Sequence, residues 1–450
     1  MKRRLPFLLT FCWLLTTPAF GQRAPRPLAL TRVTVVDATG GPARPDMTVV
    51  IEGGRIAAVG RSGGVRIPRG ARVVDARGKF LIPGLWDAHT HHQASGAESL
   101  PLFVANGVTA TRDMGSDLEF ILNLRRGVEA GAVPGPRIVA AGPMLDDAPK
   151  DWPFRLRVTD AAGARDAVRL LRSKGVDFVK VHARLPREAY LAAADEAKRL
   201  GVPFAGHVPG GVSLAEAAAA GQKSVEHLSE YGLLFECAGR PGVTLAQVVE
   251  AYSPEKCAAL FDLFKRHGTR HTPTLAALHV FSKSPAEIEA DLRARGVLRY
   301  AGPTLLRFWT ESERLSPPPP EEVRRELARM AAKSLEVVGE MNRRGVRLLA
   351  GCDALVPGFC LHDELELLVR AGLSPMEALQ AATRNPAELA GRLDQLGTVE
   401  PNKLADLVLL DADPLADIRH TRRVRAVVLN GRYIPKAELQ RMLSRPRERR

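Results

Sequence analysis

The chain is 450 residues long and 45% hydrophobic, with 64 Lys and Arg against 50 Asp and Glu and a formal charge of +14. That is enough chain for one large domain and a smaller one. The cations are interspersed with acids, aromatic residues make up only 5% and no basic-aromatic module occurs, so the charge does not point to nucleic acid.

Residues 1–21 read as an export leader. Lys2, Arg3 and Arg4 precede the apolar run Leu5–Leu15, and Ala19-Phe20-Gly21 offers a small-x-small cleavage site. The run is too short for a comfortable membrane span and no other stretch is long enough. The mature chain, at about +11 without the three leader cations, is expected to be exported, periplasmic or secreted, with no stable membrane insertion. Cys237, Cys257, Cys352 and Cys360 remain after leader removal, with no CxxC pattern, so disulfides are not the main scaffold. An oxidising destination permits a Cys237–Cys257 bond within one insertion; Cys352, beside Asp353, is expected as a buried free thiol.

The runs Leu28–Asp37, Met47–Glu52 and Arg55–Val59 look like strands, separated by Gly/Pro turns. Similar runs, Ala405–Asp411 and Val424–Arg432, recur near the C-terminus. Neither group makes a domain alone; together they can form a small β-sandwich. Between them strand and helix alternate, which argues for a parallel sheet. Strands are expected at Phe80–His89, Gly107–Met114, Pro136–Gly142, Asp177–His182, Pro203–His207, Ser224–His227, His271–Leu275 and Arg347–Asp353. Helical patterns lie at about 117–130, 160–175, 186–200 and 213–221. Insertions at about 232–269 and 278–345 interrupt the repeat, the second with the run Ser316–Pro320; extended loops of this kind usually cover a site and shape its specificity.

The chemistry sits at the ends of the strand runs. Phe80-Leu81-Ile82-Pro83-Gly84-Leu85-Trp86-Asp87-Ala88-His89-Thr90-His91 ends in two histidines at i, i+2, which a strand points to one face. Later runs end in Lys180 and His182, in His207, in His227 and in Asp353. In a closed parallel barrel the strand C-termini converge on one mouth. His92 points away from His91; His267, His279, His362 and His420 are read as structural or surface residues.

The order His-x-His, Lys, His, His, Asp resembles the amidohydrolase superfamily, over nearly all of the mature chain. Within it, Asp177-Phe178-Val179-Lys180-Val181, Gly206-His207-Val208 and Val225-Glu226-His227 are most similar to the imidazolonepropionase-like and Xaa-Pro dipeptidase-like branch. The resemblance implies a distorted (β/α)8 TIM barrel with a small β-sandwich. The divisions are a leader at 1–21, sandwich segments at 22–83 and 393–436, the barrel at 84–392 and a basic tail at 437–450. It also implies two divalent metal ions, zinc foremost: His89 and His91 on the more buried one, His207 and His227 on the other, and Lys180 bridging as a carboxylated lysine, since an ammonium has no lone pair. Asp353 would be a metal ligand and the general acid/base, serving a metal-activated hydroxide that attacks the amide of a dipeptide or N-acyl amino acid. Such a substrate carries a free carboxylate, for which Arg112, His182, Tyr231 and His271 are the candidates. A cyclic-amide hydrolase or deaminase on the same site, and an inactive secreted binding protein, are the alternatives. The expected partner is a small-molecule amide, with a homo-oligomer possible.

Overall fold

The computed structural model describes residues 26–149, 153–228, 232–239, 243–315, 317–353 and 355–444. The leader at 1–21, Tyr231 and the last six residues lie outside them. Among the described residues, no helix is long and apolar enough to cross a membrane.

The terminal segments build one mixed eight-stranded sheet. Along it run Arg432–Pro435, Val424–Leu429, Leu407–Leu410, Phe80–Pro83, Leu28–Val35, Arg44–Glu52 and Arg55–Arg61, with Arg72–Asp75 paired to Leu28–Val35. The two chain ends meet where Leu407–Leu410 pairs antiparallel with Phe80–Pro83. Register shifts bend Leu28–Val35 along its length. The sheet thereby encloses an apolar cluster drawn from both ends, including Leu30, Val49, Ile56, Leu81, Leu407 and Val428. The basic tail begins as a helix, Lys436–Leu443. Its Leu439, Met442 and Leu443 pack on Val104 and Val427; this i, i+3, i+4 apolar face is masked in the sequence by the flanking arginines.

The middle of the chain is α/β with parallel sheets. Leu85–Thr90, Val108–Asp113 and Arg137–Ala140 form one parallel sheet. Arg155–Arg157, Met144–Asp146, Val179–Val181, Phe204–Gly206, Ser224–Glu226 and Arg270–Thr272 form a second, in that order. No ladder joins the two sheets among the described residues. Backbone bonds from Asp177 N to Ala140 O, 2.9 Å, and from Ala88 N to Ala350 O, 2.9 Å, bridge the two gaps. The segment at Arg347–Asp353 is extended but makes only one parallel bridge, His271 with Leu348. The Ala350 N–H that would continue a ladder is taken by Ala381 O. The expected strand at His271–Leu275 stops at Thr272, and Leu275 opens a helix that runs to Phe281.

Helices Leu118–Glu129, Ala161–Lys174, Arg187–Arg199 and Leu214–Ala219 follow the strands as the periodicity predicts. Asp160 caps the second through Gly163 N, and Ser213 with Glu216 forms a capping box on the last. The first insertion holds helices Leu233–Ala238 and Pro254–His267, joined by a Cys237–Cys257 disulfide with Cα atoms 4.9 Å apart. The second holds Pro285–Ala294, Pro303–Leu315 and Glu321–Arg343. Cys352 is not a free thiol. It is bonded to Cys360 at the start of helix Phe359–Arg370, because the turn after Asp353 brings the two Cα atoms to 5.7 Å.

Candidate metal and hydrolase site

His89, His91, Lys180, His207, His227 and Asp353, from five separate segments, line one cavity of about 210 Å³ together with His182. Ring centroids step across it at 5.5 Å from His91 to His89, 4.7 Å from His89 to His227, 4.8 Å from His227 to His207 and 4.2 Å from His207 to His182. His91 Nε2 lies 3.4 Å from Asp353 Oδ1, and His89 Nε2 lies 3.9 Å from it.

Three of the imidazoles are held from behind. His89 Nδ1 donates to Glu226 Oε2 at 3.0 Å, and His91 Nδ1 donates to Gly115 O at 2.9 Å. His227 Nδ1 sits 2.6 Å from Thr274 Oγ1, whose own proton goes to Pro273 O. The hydroxyl therefore accepts, and His227 keeps its lone pair on Nε2. This is the arrangement that readies histidines as metal ligands. Burial, helped by the Lys180 charge, pushes His89 down to about 3, and burial with the His182 and Lys180 charges drives His207 well below the usual range. Both are neutral, as ligation requires. Burial opposes charge on Asp353, but His89, His227, His91 and Lys180 outweigh it and hold the carboxyl far below its ordinary value.

Two glycines make the packing possible. A Cβ on Gly206 would stand 2.2 Å from Val181 O and 2.9 Å from Lys180 Cδ, and one on Gly351 would stand 2.7 Å from His89 Cβ. Nine non-glycine residues among those described have positive φ, and four of them, Phe154, His227, Thr274 and Asp353, line the cavity. For a β-branched residue such as Thr274 this conformation is a true outlier, and strain of this kind collects at functional sites.

Not every expected site residue reaches the cavity. Arg112 does not: its guanidinium is spent on Ala88 O, Ser224 Oγ, Glu226 Oε1 and Thr272 Oγ1, at 2.7 to 3.2 Å. It faces a second cavity on the side of the strand starts, with Trp86 and Phe178. His271 is fully buried off the cavity, and burial pushes its ring down to about 4. His182 does line the cavity, with Nδ1 3.1 Å from Asp146 Oδ2. His92 is buried against Thr111 Oγ1 at 2.8 Å.

Two residues were missed by the sequence reading. Glu226, buried and paired with Arg112 at 2.8 Å, orients His89. A glutamate inside an apolar strand run has to be paired, and that was the available signal. Arg155 is the guanidinium on the cavity wall, held by Asp146 at 2.8 Å and by Pro153 O at 3.0 Å. The three-residue strands carrying Arg155 and its partner Asp146, Arg155–Arg157 and Met144–Asp146, are too brief to show in the pattern.

The donors fit a metal. His89, His227 and Asp353 offer ligand atoms all within 4.8 Å of one another, and imidazole with carboxylate is a set that suits zinc and related divalent ions. Asp87, Cys352 and Cys360 also lie together, but the disulfide occupies both sulfurs.

The geometry agrees with kinship. The amidohydrolase family profile matches residues 80–434, and the chain belongs to that family, whose members hydrolyse carbon–nitrogen bonds and generally work with a divalent metal. More particularly, the crystal structure of a putative prolidase from Bifidobacterium longum superposes with a TM-score of 0.70 at 26% identity, covering 93% of this chain and 98% of that one. A Xaa-Pro dipeptidase with bound methionine in its active site gives 0.69 at 21% identity, over 91% of this chain and 100% of that one. Ochratoxinase of Aspergillus niger is 23% identical over 410 residues, 77% of this chain and 73% of its own.

Proposed function

We propose that the chain is an exported amidohydrolase that cleaves the amide C–N bond of dipeptides or N-acyl amino acids at a pair of divalent metal ions, zinc foremost. The observation that carries this is the convergence of His89, His91, Lys180, His207, His227 and Asp353 on one cavity. His89, His91 and Asp353 would hold one ion and His207 and His227 the other. Lys180, whose side chain is fully buried among them, would bridge as a carbamate. Such ions supply Lewis-acid activation of the carbonyl and of the attacking water. Asp353, ionised and 3.4 Å from His91 Nε2, takes the proton from that water and returns it to the leaving nitrogen. The Arg155 guanidinium and His182 on the wall would receive the substrate carboxylate, because an unpaired buried carboxylate is costly.

The fold supports the same reading. The two parallel sheets, bridged at Ala140 and Ala350, fit a distorted eight-stranded (β/α)8 barrel over 84–392. The bent sheet fits a β-sandwich from 22–83 and 393–436. Two disulfides favour an oxidising destination, in line with the leader.

Elemental analysis of chelator-free protein should give near two metals per chain, and Lys180→Ala should lose one of them. A value at or below one, unmoved by added zinc and bicarbonate, removes the bridged pair. Free-acid substrates should be turned over far faster than their C-terminal amides. Equal rates remove carboxylate recognition, and activity confined to lactams or amino-heterocycles replaces the reading with the cyclic-amide or deaminase one.

A further inference from the structure

Part of the cavity lining is aromatic, and the reaction proposed above makes no use of it. Phe154 and Phe308 stack with ring centroids 6.1 Å apart and planes 23° from parallel. They come from different places: Phe154 just ahead of strand Arg155–Arg157, and Phe308 from helix Pro303–Leu315 of the second insertion. Phe281, the last residue of helix Leu275–Phe281, lines the same cavity and is 55% exposed. Met144, Leu228, Ala277 and Leu278 add apolar lining to the same cavity.

Three features mark this wall as built for a ligand. Phe281 is the only aromatic among the large hydrophobic side chains left exposed in the described residues. An apolar ring left bare at the rim of a polar cavity gains by being covered. Phe154 has φ +62°, a conformation that bulky residues avoid; it is fixed by the bond from Met144 N to Phe154 O at 2.9 Å and by the Arg155–Asp146 pair that follows. Finally, Phe154 adjoins Arg155 in the chain, so the aromatic wall begins beside the guanidinium on the same cavity.

We infer that Phe154, Phe281 and Phe308 form the subsite for the side chain of the carboxyl-bearing amino acid, and that the preferred substrates release an aromatic or other large apolar residue. The inference rests on the hydrolase reading of this site. A carboxylate at Arg155 puts the side chain on the same α-carbon against the neighbouring rings. A large apolar side chain covers them, a methyl leaves them wet, and a charged one is desolvated against three phenyl groups without a partner.

The test compares kcat/KM for N-acetyl-phenylalanine, N-acetyl-alanine and N-acetyl-aspartate in the zinc-loaded full chain, in Phe281→Ala and in Phe308→Leu. A hydrophobic subsite discriminates by about 10- to 200-fold per methylene-sized difference. The phenylalanine substrate should therefore exceed alanine by about 100-fold, with aspartate slowest. Each replacement should shrink the phenylalanine-to-alanine ratio by roughly 10-fold, mainly through KM. Phe281 is half exposed, so its truncation does not threaten the fold, and Ile67→Ala, in the loop between Arg55–Arg61 and Arg72–Asp75 and outside the cavity lining, should leave the ratio alone. A wild-type ratio near one, or a ratio that survives both replacements, overturns the subsite while the hydrolase reading stands. Failure to hydrolyse any of the three overturns the hydrolase reading and the subsite with it.

Discussion

The floor and the rim of the cavity are built on opposite plans. On the floor, His89, His91, His227 and Asp353 stand at the ends of strands or strand-like segments, and each imidazole is fixed from behind by Glu226, Gly115 O or Thr274. On the rim, Phe154, Phe281 and Phe308 come from a loop and insertion helices, touch one another or solvent, and have no polar anchor of their own. A group that must hold a proton or a lone pair at a stated place needs a rigid second layer. A group that recognises an apolar shape needs only to exclude water. On the function proposed above, the floor would set the reaction and the rim which substrate reaches it.

The largest expected effect comes from breaking the floor at Glu226. Burial opposes charge on its carboxylate, but Arg112 and His89 outweigh it and hold it well below the usual range. Glu226→Gln should cost 10- to 100-fold in metal affinity, the usual result of losing the partner of a ligating histidine. It should also cost roughly 3–5 kcal/mol of stability, because Arg112 is left buried and uncompensated. Adding Arg112→Met should restore much of the stability and none of the metal affinity. Metal titration followed by chemical denaturation separates the two, and a double variant that regains both would reduce Glu226 to the Arg112 ion pair alone.

This difference of plan also explains what the sequence shows and what it hides. The His-x-His at 89–91, His207, His227 and Asp353 announce themselves because each closes an apolar run, and strand ends are where a parallel sheet gathers its side chains. Lys180 stands out because a lysine in Val179-Lys180-Val181 has no place in a core. Arg112 and His271 occupy equally suggestive positions, yet one turns toward Glu226 and the other into the packing, since the outcome depends on neighbours from strands 112 and 77 or more residues away. The Phe154–Phe308 stack depends on how the second insertion folds back over the mouth, and the Cys352–Cys360 bond on the turn after Asp353, neither of which local periodicity encodes. Strand Arg347–Asp353 was legible as an apolar run but not as a segment whose donors go to Ala381 and His89.

Between floor and rim lies the helix Leu275–Phe281, which follows Thr274 and ends in Phe281. Its Ala276 N donates to buried Glu364 at 2.8 Å. Burial pushes Glu364 up to about 8 despite that bond, and the nearby Asp87 and Asp363 charges add to the rise. The folded pKa is above the unfolded one, so the contribution to stability is fully present below about 4.5 and is lost as pH rises toward 8. The native state keeps a proton there that the unfolded state releases, which costs ~1.4 kcal/mol per pH unit across that window. Glu364→Gln keeps the acceptor for Ala276 and removes the titration. Its stability should match the wild type near pH 5 and exceed it by an amount on the order of 3 kcal/mol at pH 8. Parallel pH dependences for the two proteins would show that Glu364 is ionised when folded.

The smallest effects should separate the two disulfides. Cys237–Cys257 closes a loop with a sequence separation of 20 in the first insertion, and Cys352–Cys360 one of 8 beside Asp353. Loop-closure entropy alone gives about 3 kcal/mol for the longer loop and about 2.5 kcal/mol for the shorter, so denaturation rates the two almost equally. Activity should not. Cys237→Ser with Cys257→Ser removes a tie between two helices that contribute no residue to the cavity, and kcat should stay within about twofold. Cys360→Ser releases the segment that begins at Asp353, a residue already held at φ +65° by the bond from its own N–H to His89 O at 2.7 Å. A displacement of about 1 Å in a catalytic group can cost on the order of 100-fold, so kcat should fall 10-fold or more while KM for a free-acid substrate, set on the Arg155 side, changes little. Equal losses of kcat in both variants would mean that the first insertion also braces the floor, and the view that the floor is fixed only by its own neighbours would have to be abandoned.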